Sequence, residues 1–315
     1  MNKIYSFKPY AKSVIWGGDA LVCLKHLPAN LSKIGETWEI SSVPGHESEL
    51  PSGVTLPMLI DEFKGALVGN KVYEKFGHTF PLLIKFIDAK ADLSVQVHPN
   101  DELAMKRHNS FGKTEMWYVM ATVPGAKIIS GLSESIDKAE YKRLIETNRI
   151  TDVLAAHDSH PGDVFFLPAG RIHAIGAGNL LLEIQQTSDI TYRVYDYDRR
   201  DADGNPRQLH TEEAADAIDY TVYPEYRTSY NRDAKGITPL VHCPYFNVDK
   251  ITVDGSLSIP MPLDSFLTIS CVEGEGEIVA DGETQPIAAG HTVLVAASTG
   301  HLQATGKMAL VTSSL

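Results

Sequence analysis

Cysteine is scarce: 315 residues hold three, Cys23, Cys243 and Cys271. An odd and widely spaced set suits neither a disulfide framework nor a cysteine metal site, so a reducing compartment, the cytoplasm, is expected. Long apolar runs are missing too. No stretch approaches the roughly 18 residues that a membrane span needs, and no apolar segment of signal-peptide shape opens the chain, so no membrane partner is expected. Positive charge is in short supply, with 28 Lys plus Arg against 40 Asp plus Glu and a formal charge of −12. That balance argues against nucleic acid or anionic membrane as a partner, and an anionic ligand would need a locally basic pocket. What the chain does have is 43% hydrophobic content, enough for a substantial core in one large domain or two ordinary ones. No pattern specifies an oligomeric state.

Short runs of β-branched and aromatic residues broken by Gly, Pro and Asn dominate: PLLIKFIDA at 81–89, LSVQVHP at 93–99, EMWYVM at 115–120 and DVFFLP at 163–168. Many short strands with frequent turns predict a sandwich or barrel. Helical periodicity is confined to 56–67, 135–156 and 211–219. The polar stretch 198–209 reads as an exposed loop. A domain boundary is expected between it and residue 240. Beyond it, 267–298 reads as three strands separated by turns.

In LSVQVHP, strand alternation puts Ser94, Gln96 and His98 on one face, opposite Leu93, Val95 and Val97. Glu115 opens the next strand, and His173 closes Gly-x5-Pro-x-Gly-x2-His, which starts at Gly162 and runs through Pro168 and Gly170. A histidine on a strand is ordinarily a satisfied polar residue. Two imidazoles, a carboxylate and an amide oxygen appearing together in strand contexts instead suit a borderline divalent cation such as zinc, with Mn, Fe and Co as alternatives. The glycine-proline-histidine element is moderately specific for cupin barrels.

Four blocks, QVHPND at 96–101, GKTEMWY at 112–118, PAGRIHAI at 168–175 and EIQQTSDITYR at 183–193, resemble the signature blocks of type I mannose-6-phosphate isomerases. WGG at 16–18, GETWEIS at 35–41 and FPLLIK at 80–85 extend the resemblance to the N-terminal third, and the length is similar to the family's compact bacterial form. The resemblance implies a mainly β fold of two cupin-type β-barrel (jelly-roll) domains with a few decorating helices. A catalytic domain over 1–235 would be followed by a smaller one over 236–315 without a complete metal site. It also implies one zinc ion per chain, on Gln96, His98, Glu115 and His173, and a small sugar-phosphate substrate.

Lys85, Lys113 and Arg193 flank the ligand strands in an otherwise acidic chain, and the resemblance places them, with Glu183 and Asp189, near the active site. With Ser94 they form the expected substrate-binding set of Lys85, Ser94, Lys113 and Arg193. Aldose–ketose isomerisation needs a proton moved between adjacent carbons and stabilised enediolate oxygens. Arg193 and Lys113 are expected to act electrostatically at the reacting end, with Asp189 and Glu183 as proton carriers or orienters. His108, His157, His160 and His210 read as surface or structural. His301 stands eleven residues after Gly290, as His173 does after Gly162, which suggests a second cupin-like repeat lacking the rest of the site. The competing readings are a sugar-phosphate-binding cupin without turnover and a metal cupin of different chemistry.

Overall fold

A computed structural model describes residues 1–200 and 204–315. Its strands form three antiparallel sheets. One has six strands in the order Tyr10–Gly18, Ile34–Ile40, Leu82–Ala89, Asn179–Gln186, Glu115–Thr122 and Val164–Leu167. A second has five, in the order Tyr192–Tyr195, Val95–Val97, His173–Ile175, Lys127–Leu132 and Leu154–Asp158. The third runs Ile4–Tyr5, Thr292–Val295, Leu267–Ala280, Leu302–Ser314, Asn247–Ser258 and Gly236–His242, with Glu283–Ala288 paired to Leu267–Ala280. The fold is mainly β and of the cupin jelly-roll kind, as expected, with sheets left open rather than closed into complete barrels.

The near-continuous apolar strand Leu82–Ala89 is buried along its whole length because both faces are covered. Leu82, Ile84 and Phe86 enter a core shared with the helix Leu56–Phe63, with Leu294 and Val311 of the third sheet, and with Phe246 and Phe266, each just before one of its strands. Ile87 and Ala89 face the other way, into a layer with Trp117, Ile128, Ile175 and Leu181 between the first two sheets. The outer face of the five-stranded sheet is closed by Tyr141 and Leu144 of the helix Lys138–Glu146 and by Ala214 and Ala215 of the helix Thr211–Ala217.

Several local expectations need correction. The helix expected over 56–67 breaks at Lys64, whose φ of 49° divides Leu56–Phe63 from Gly65–Val68. The helix expected over 135–156 is shorter: Lys138–Glu146 ends at Thr147, Asn148 turns left-handed, and Leu154–Asp158 is a strand. The β-branched Ile150, Thr151 and Val153 favour leaving the helix there. The strand expected over 93–99 is only Val95–Val97, because Pro99 and Asn100 start an unforeseen helix, Asp101–His108. Asn100 caps it by accepting the Leu103 N–H at 2.9 Å, with Asp101 and Glu102 in the first turn and Lys106, Arg107 and His108 in the last. Of the loop expected at 198–209, residues 201–203 lie outside the described residues, and the described remainder is irregular. The three strands expected within 267–298 are Leu267–Ala280, Glu283–Ala288 and Thr292–Val295. Their first hairpin turns on Asp281 and Gly282, both at positive φ, the tight form that matches strand twist. Among the described residues no helix is long and apolar enough to cross a membrane.

Candidate active site and metal centre

Antiparallel register sets the site. Across the five-stranded sheet Arg193, Gln96, His173 and Ser130 lie in one cross-strand row. Their sequence neighbours Val194, Val97 and Ala174 point the opposite way, into the helix-covered layer. The facing six-stranded sheet supplies two rows: Leu83, Gln185, Glu115 and Leu167, and next to it Trp38, Lys85, Glu183, Trp117 and Phe165. A strict period of two thus delivers polar side chains from both sheets into one space.

There the His98, Glu115 and His173 side chains converge, all buried, with one ligand atom from each within 4.8 Å of the others. His98 Nε2 is 3.4 Å from Glu115 Oε2 and His173 Nε2 is 3.3 Å from Glu115 Oε1, yet none of these four atoms has a hydrogen-bond partner. The tautomers explain why. Nδ1 of His98 lies 2.9 Å from the Ile190 carbonyl and Nδ1 of His173 lies 2.8 Å from the Arg171 carbonyl. A carbonyl can only accept, so both rings carry their proton on Nδ1 and aim a lone pair from Nε2 at the carboxylate. Burial and the nearby Lys113 ammonium push His98 down to about 3, and burial lowers His173 as well, so neither ring takes a second proton near neutrality. Burial alone would raise Glu115, but the charge of the Lys113 ammonium outweighs it and holds the carboxyl below its ordinary range. Acceptors converging without a proton in a dry site are mutually repulsive, and a divalent cation among them removes that cost. The carbonyl contacts behind each ring are the usual outer support of metal-binding histidines.

Beside this cluster lies a cavity of about 390 Å³ lined by Ser94, Gln96, Lys85, Lys113, Glu183, Asp189 and Arg193, every substrate-contact and acid–base candidate named from the sequence. Lys113 Nζ is 3.4 Å from Glu115 Oε2. Lys85 Nζ is 3.2 Å from Glu183 Oε1 and 3.7 Å from Glu36 Oε2, while Glu183 Oε2 accepts the Trp117 indole N–H at 2.8 Å. Glu183 is thereby immobilised and buried, whereas Asp189 is exposed at the cavity's rim, where it also lines a neighbouring groove with Ser188 and Phe111. Gln96 is half-buried beside its row partner His173.

Among the cavity residues that carried no assignment from the sequence are Lys12, Glu36, Trp38 and Arg207. Glu36 and Trp38 belong to GETWEIS, where alternation could have paired them on one face. Trp38 donates its indole N–H to Glu36 Oε2 at 2.7 Å and carries the Lys85 ammonium 4.9 Å from its ring centre. Of the other histidines, His108 pairs with the Tyr192 hydroxyl at 2.8 Å, and His210 Nδ1 accepts the Arg193 backbone N–H at 3.2 Å. Among the described residues His98, Glu115 and His173 are the one group of three or more that could hold a metal; exposed His301 joins none.

Residues 4–118 match the family model for the phosphomannose isomerase type I catalytic domain, and residues 236–315 match that for the mannose-6-phosphate isomerase cupin domain. Mannose-6-phosphate isomerase ManA of Bacillus subtilis (strain 168) is 37% identical over 98% of both chains. Mannose-6-phosphate isomerase of Streptococcus mutans is 34% identical over 95% of this chain and 94% of that one. The crystal structure of a mannose 6-phosphate isomerase from Bacillus subtilis superposes with a TM-score of 0.89 at 33% identity, over 100% of both chains. The chain therefore belongs to the type I mannose-6-phosphate isomerase family, whose members interconvert mannose 6-phosphate and fructose 6-phosphate.

Proposed function

We propose that the chain catalyses this interconversion as a zinc enzyme, through an enediolate, with Gln96, His98, Glu115 and His173 as the ligands of one zinc ion. The observation that carries the reading is the set of four buried acceptor atoms on His98, Glu115 and His173 that make no hydrogen bond, the two ring protons being committed to backbone carbonyls. When bound, zinc would supply Lewis-acid stabilisation of the charge that develops on O1 and O2.

The remaining work falls to the chain's own groups. Lys113, anchored on Glu115, and Arg193, next to Gln96 in the cross-strand row, add fixed positive charge at the reacting end. Asp189 is the proton carrier of the proposal: its carboxylate takes the proton from C2 and delivers it to C1, while the O2 hydroxyl proton passes to O1, so that atoms and electrons of the sugar are conserved. Glu183, fixed by Lys85 and Trp117, orients Lys85 instead of moving a proton. Lys85 and Ser94 hold the substrate along the cavity wall. Three unpaired cysteines fit a cytoplasmic setting.

A coupled assay following mannose 6-phosphate to fructose 6-phosphate tests the proposal on replete, chelated and zinc-restored protein and on His173→Ala. Activity should vanish on chelation, return with zinc, and stay absent in the variant. Turnover that survives full metal removal would overturn the zinc assignment.

A further inference from the structure

One end of the cavity carries a guanidinium that the chemistry above does not use. Arg207 lines the same cavity as Ser94, Lys85 and Arg193. Its Nε donates to Asp196 Oδ2 at 2.7 Å and its Nη2 to Asp196 Oδ1, a two-point grip on a buried carboxylate. Among the described residues Nη1 has no hydrogen-bond partner.

The position along the cavity follows from register. Tyr195 pairs with Val95, so Asp196 sits level with Ser94, while His98 lies four residues further along that segment. At about 3.3 Å per residue, Ser94 stands roughly 7 Å of extended chain from the row that carries Gln96 and His173, and roughly 13 Å from His98. Arg207, gripping Asp196, is therefore held about two strand positions away from the row of Gln96 and His173, and a six-carbon chain with its reacting carbons at the ligand cluster would carry its terminal group towards Arg207.

A purely structural Arg207–Asp196 pair explains the charges poorly. Asp196 also accepts from Arg199 Nη2 at 2.5 Å, and Arg193 is near enough that burial together with the charges of Arg207 and Arg199 lowers its pKa. Two guanidiniums, Arg199 and Arg207, thus share the Asp196 carboxylate, and a third, Arg193, stands close by without pairing to it. Arg193 Nη1 is committed to the Gln208 carbonyl at 2.8 Å, but its buried Nε is unpartnered. Converging guanidiniums with unused donors at the wall of a cavity are the arrangement that an oxyanion with several acceptor oxygens stabilises.

We infer that Arg207 binds the phosphate of the substrate, with Asp196 as the positioning residue that holds its fork towards the cavity. The inference rests on the sugar-phosphate reading above. It is tested with Arg207→Gln, Arg207→Lys and Asp196→Asn, each confirmed folded by thermal melt. Kinetics with mannose 6-phosphate are combined with calorimetric titration of inorganic phosphate. Arg207→Gln should raise KM about 10- to 100-fold, lower kcat by a smaller factor and weaken phosphate binding in parallel. Arg207→Lys should recover part of the loss, and Asp196→Asn should shift KM and phosphate affinity in the same direction by less. Should Arg207→Gln fail to fold, Arg207→Lys must still raise KM several-fold, because an ammonium cannot reproduce the fork. Unchanged KM and phosphate affinity in a folded Arg207 variant, or a loss confined to kcat, would overturn the inference. A wild-type protein that binds phosphate through Arg207 without isomerising the sugar would instead sink the functional reading alone.

Discussion

Gln96 and His173 face each other directly across the antiparallel pairing of Val95–Val97 with His173–Ile175. Two side chains remote in sequence thus share one face of one sheet, and their separation is fixed by backbone hydrogen bonds rather than by side-chain packing. The proposed metal site inherits that rigidity, since two of its four donors cannot drift apart without unzipping the sheet.

The donors should not be equivalent. His98→Ala and His173→Ala each remove a lone pair aimed at the cluster, and both should lose bound zinc and on the order of 10³-fold in kcat. Gln96→Ala removes a neutral amide oxygen, the weakest ligand of the set, and should keep substoichiometric zinc and residual turnover. Elemental analysis after dialysis, alongside the coupled assay, checks the order. Full zinc in Gln96→Ala with unchanged activity would remove Gln96 from the ligand set.

The Lys85–Glu183 contact should behave as a buried pair. Breaking it from one side leaves an uncompensated charge in a dry wall, so Glu183→Gln should cost about 2–4 kcal/mol, with Glu36 softening the loss. Lys85→Met combined with Glu183→Gln should cost less than the two single changes added together, by about 1–3 kcal/mol. Urea unfolding of the four proteins at neutral pH reads the coupling, and strict additivity would show that the pair does not interact.

Much of this site was legible in the sequence because strand alternation is local. Ser94, Gln96 and His98 could be put on one face from spacing alone, and the Gly-Pro-Gly spacing pointed to His173. What stayed hidden was assembled over long chain separations. Lys12, Glu36 and Trp38 reach the cavity through pairing of the first strands of the six-stranded sheet, and Arg207 reaches it through a loop clamped by Asp196. The helix Asp101–His108 escaped notice because it buries only Ala104 and so has little apolar periodicity, although its cap and charge order were present. Asp189, read beside Glu183 as part of one acidic segment, turned out exposed where Glu183 is buried, because the strand Asn179–Gln186 ends between them.

Glu36 gives the cavity wall a pH dependence. Burial alone would raise its carboxyl, but Lys85, Lys12 and the Trp38 indole outweigh burial and hold it below its ordinary value. The folded state therefore binds this proton more weakly than the unfolded state does. The resulting stabilisation is fully present above about pH 4.5, the unfolded value, and disappears as pH falls through the folded value. Glu36→Gln should be less stable than wild type by about 2–3 kcal/mol at pH 7, and the gap should narrow steadily below about pH 4.5. Thermal melts of both proteins from pH 3 to 7 check the sign, and a gap that widens on acidification would contradict it.

The remaining prediction concerns the proposed division at residues 235 and 236. Phe80 and Phe266 are both fully buried, with ring centres 4.4 Å apart, and belong to a single core that also takes in Ile84, Phe246, Leu294 and Val311. The segment Ile4–Tyr5 likewise pairs with Thr292–Val295, tying the start of the chain to the third sheet. A division at this point would part the third sheet from the other two by cutting through this shared core, although the third sheet also holds a core of its own around Ile251, Ile269, Cys271 and Leu310. Phe266→Ala should then cost about 3–5 kcal/mol of stability and reduce activity only through loss of folded protein. Residues 1–235 expressed alone should aggregate, because Phe80, Ile84 and their neighbours lose their cover. Denaturant unfolding of the full chain followed by far-ultraviolet and by tryptophan signals should give one coincident transition, since all three tryptophans, Trp16, Trp38 and Trp117, lie before residue 235. Two separated transitions, or a soluble and cooperatively folding 1–235 fragment, would show that the two parts are independently stable.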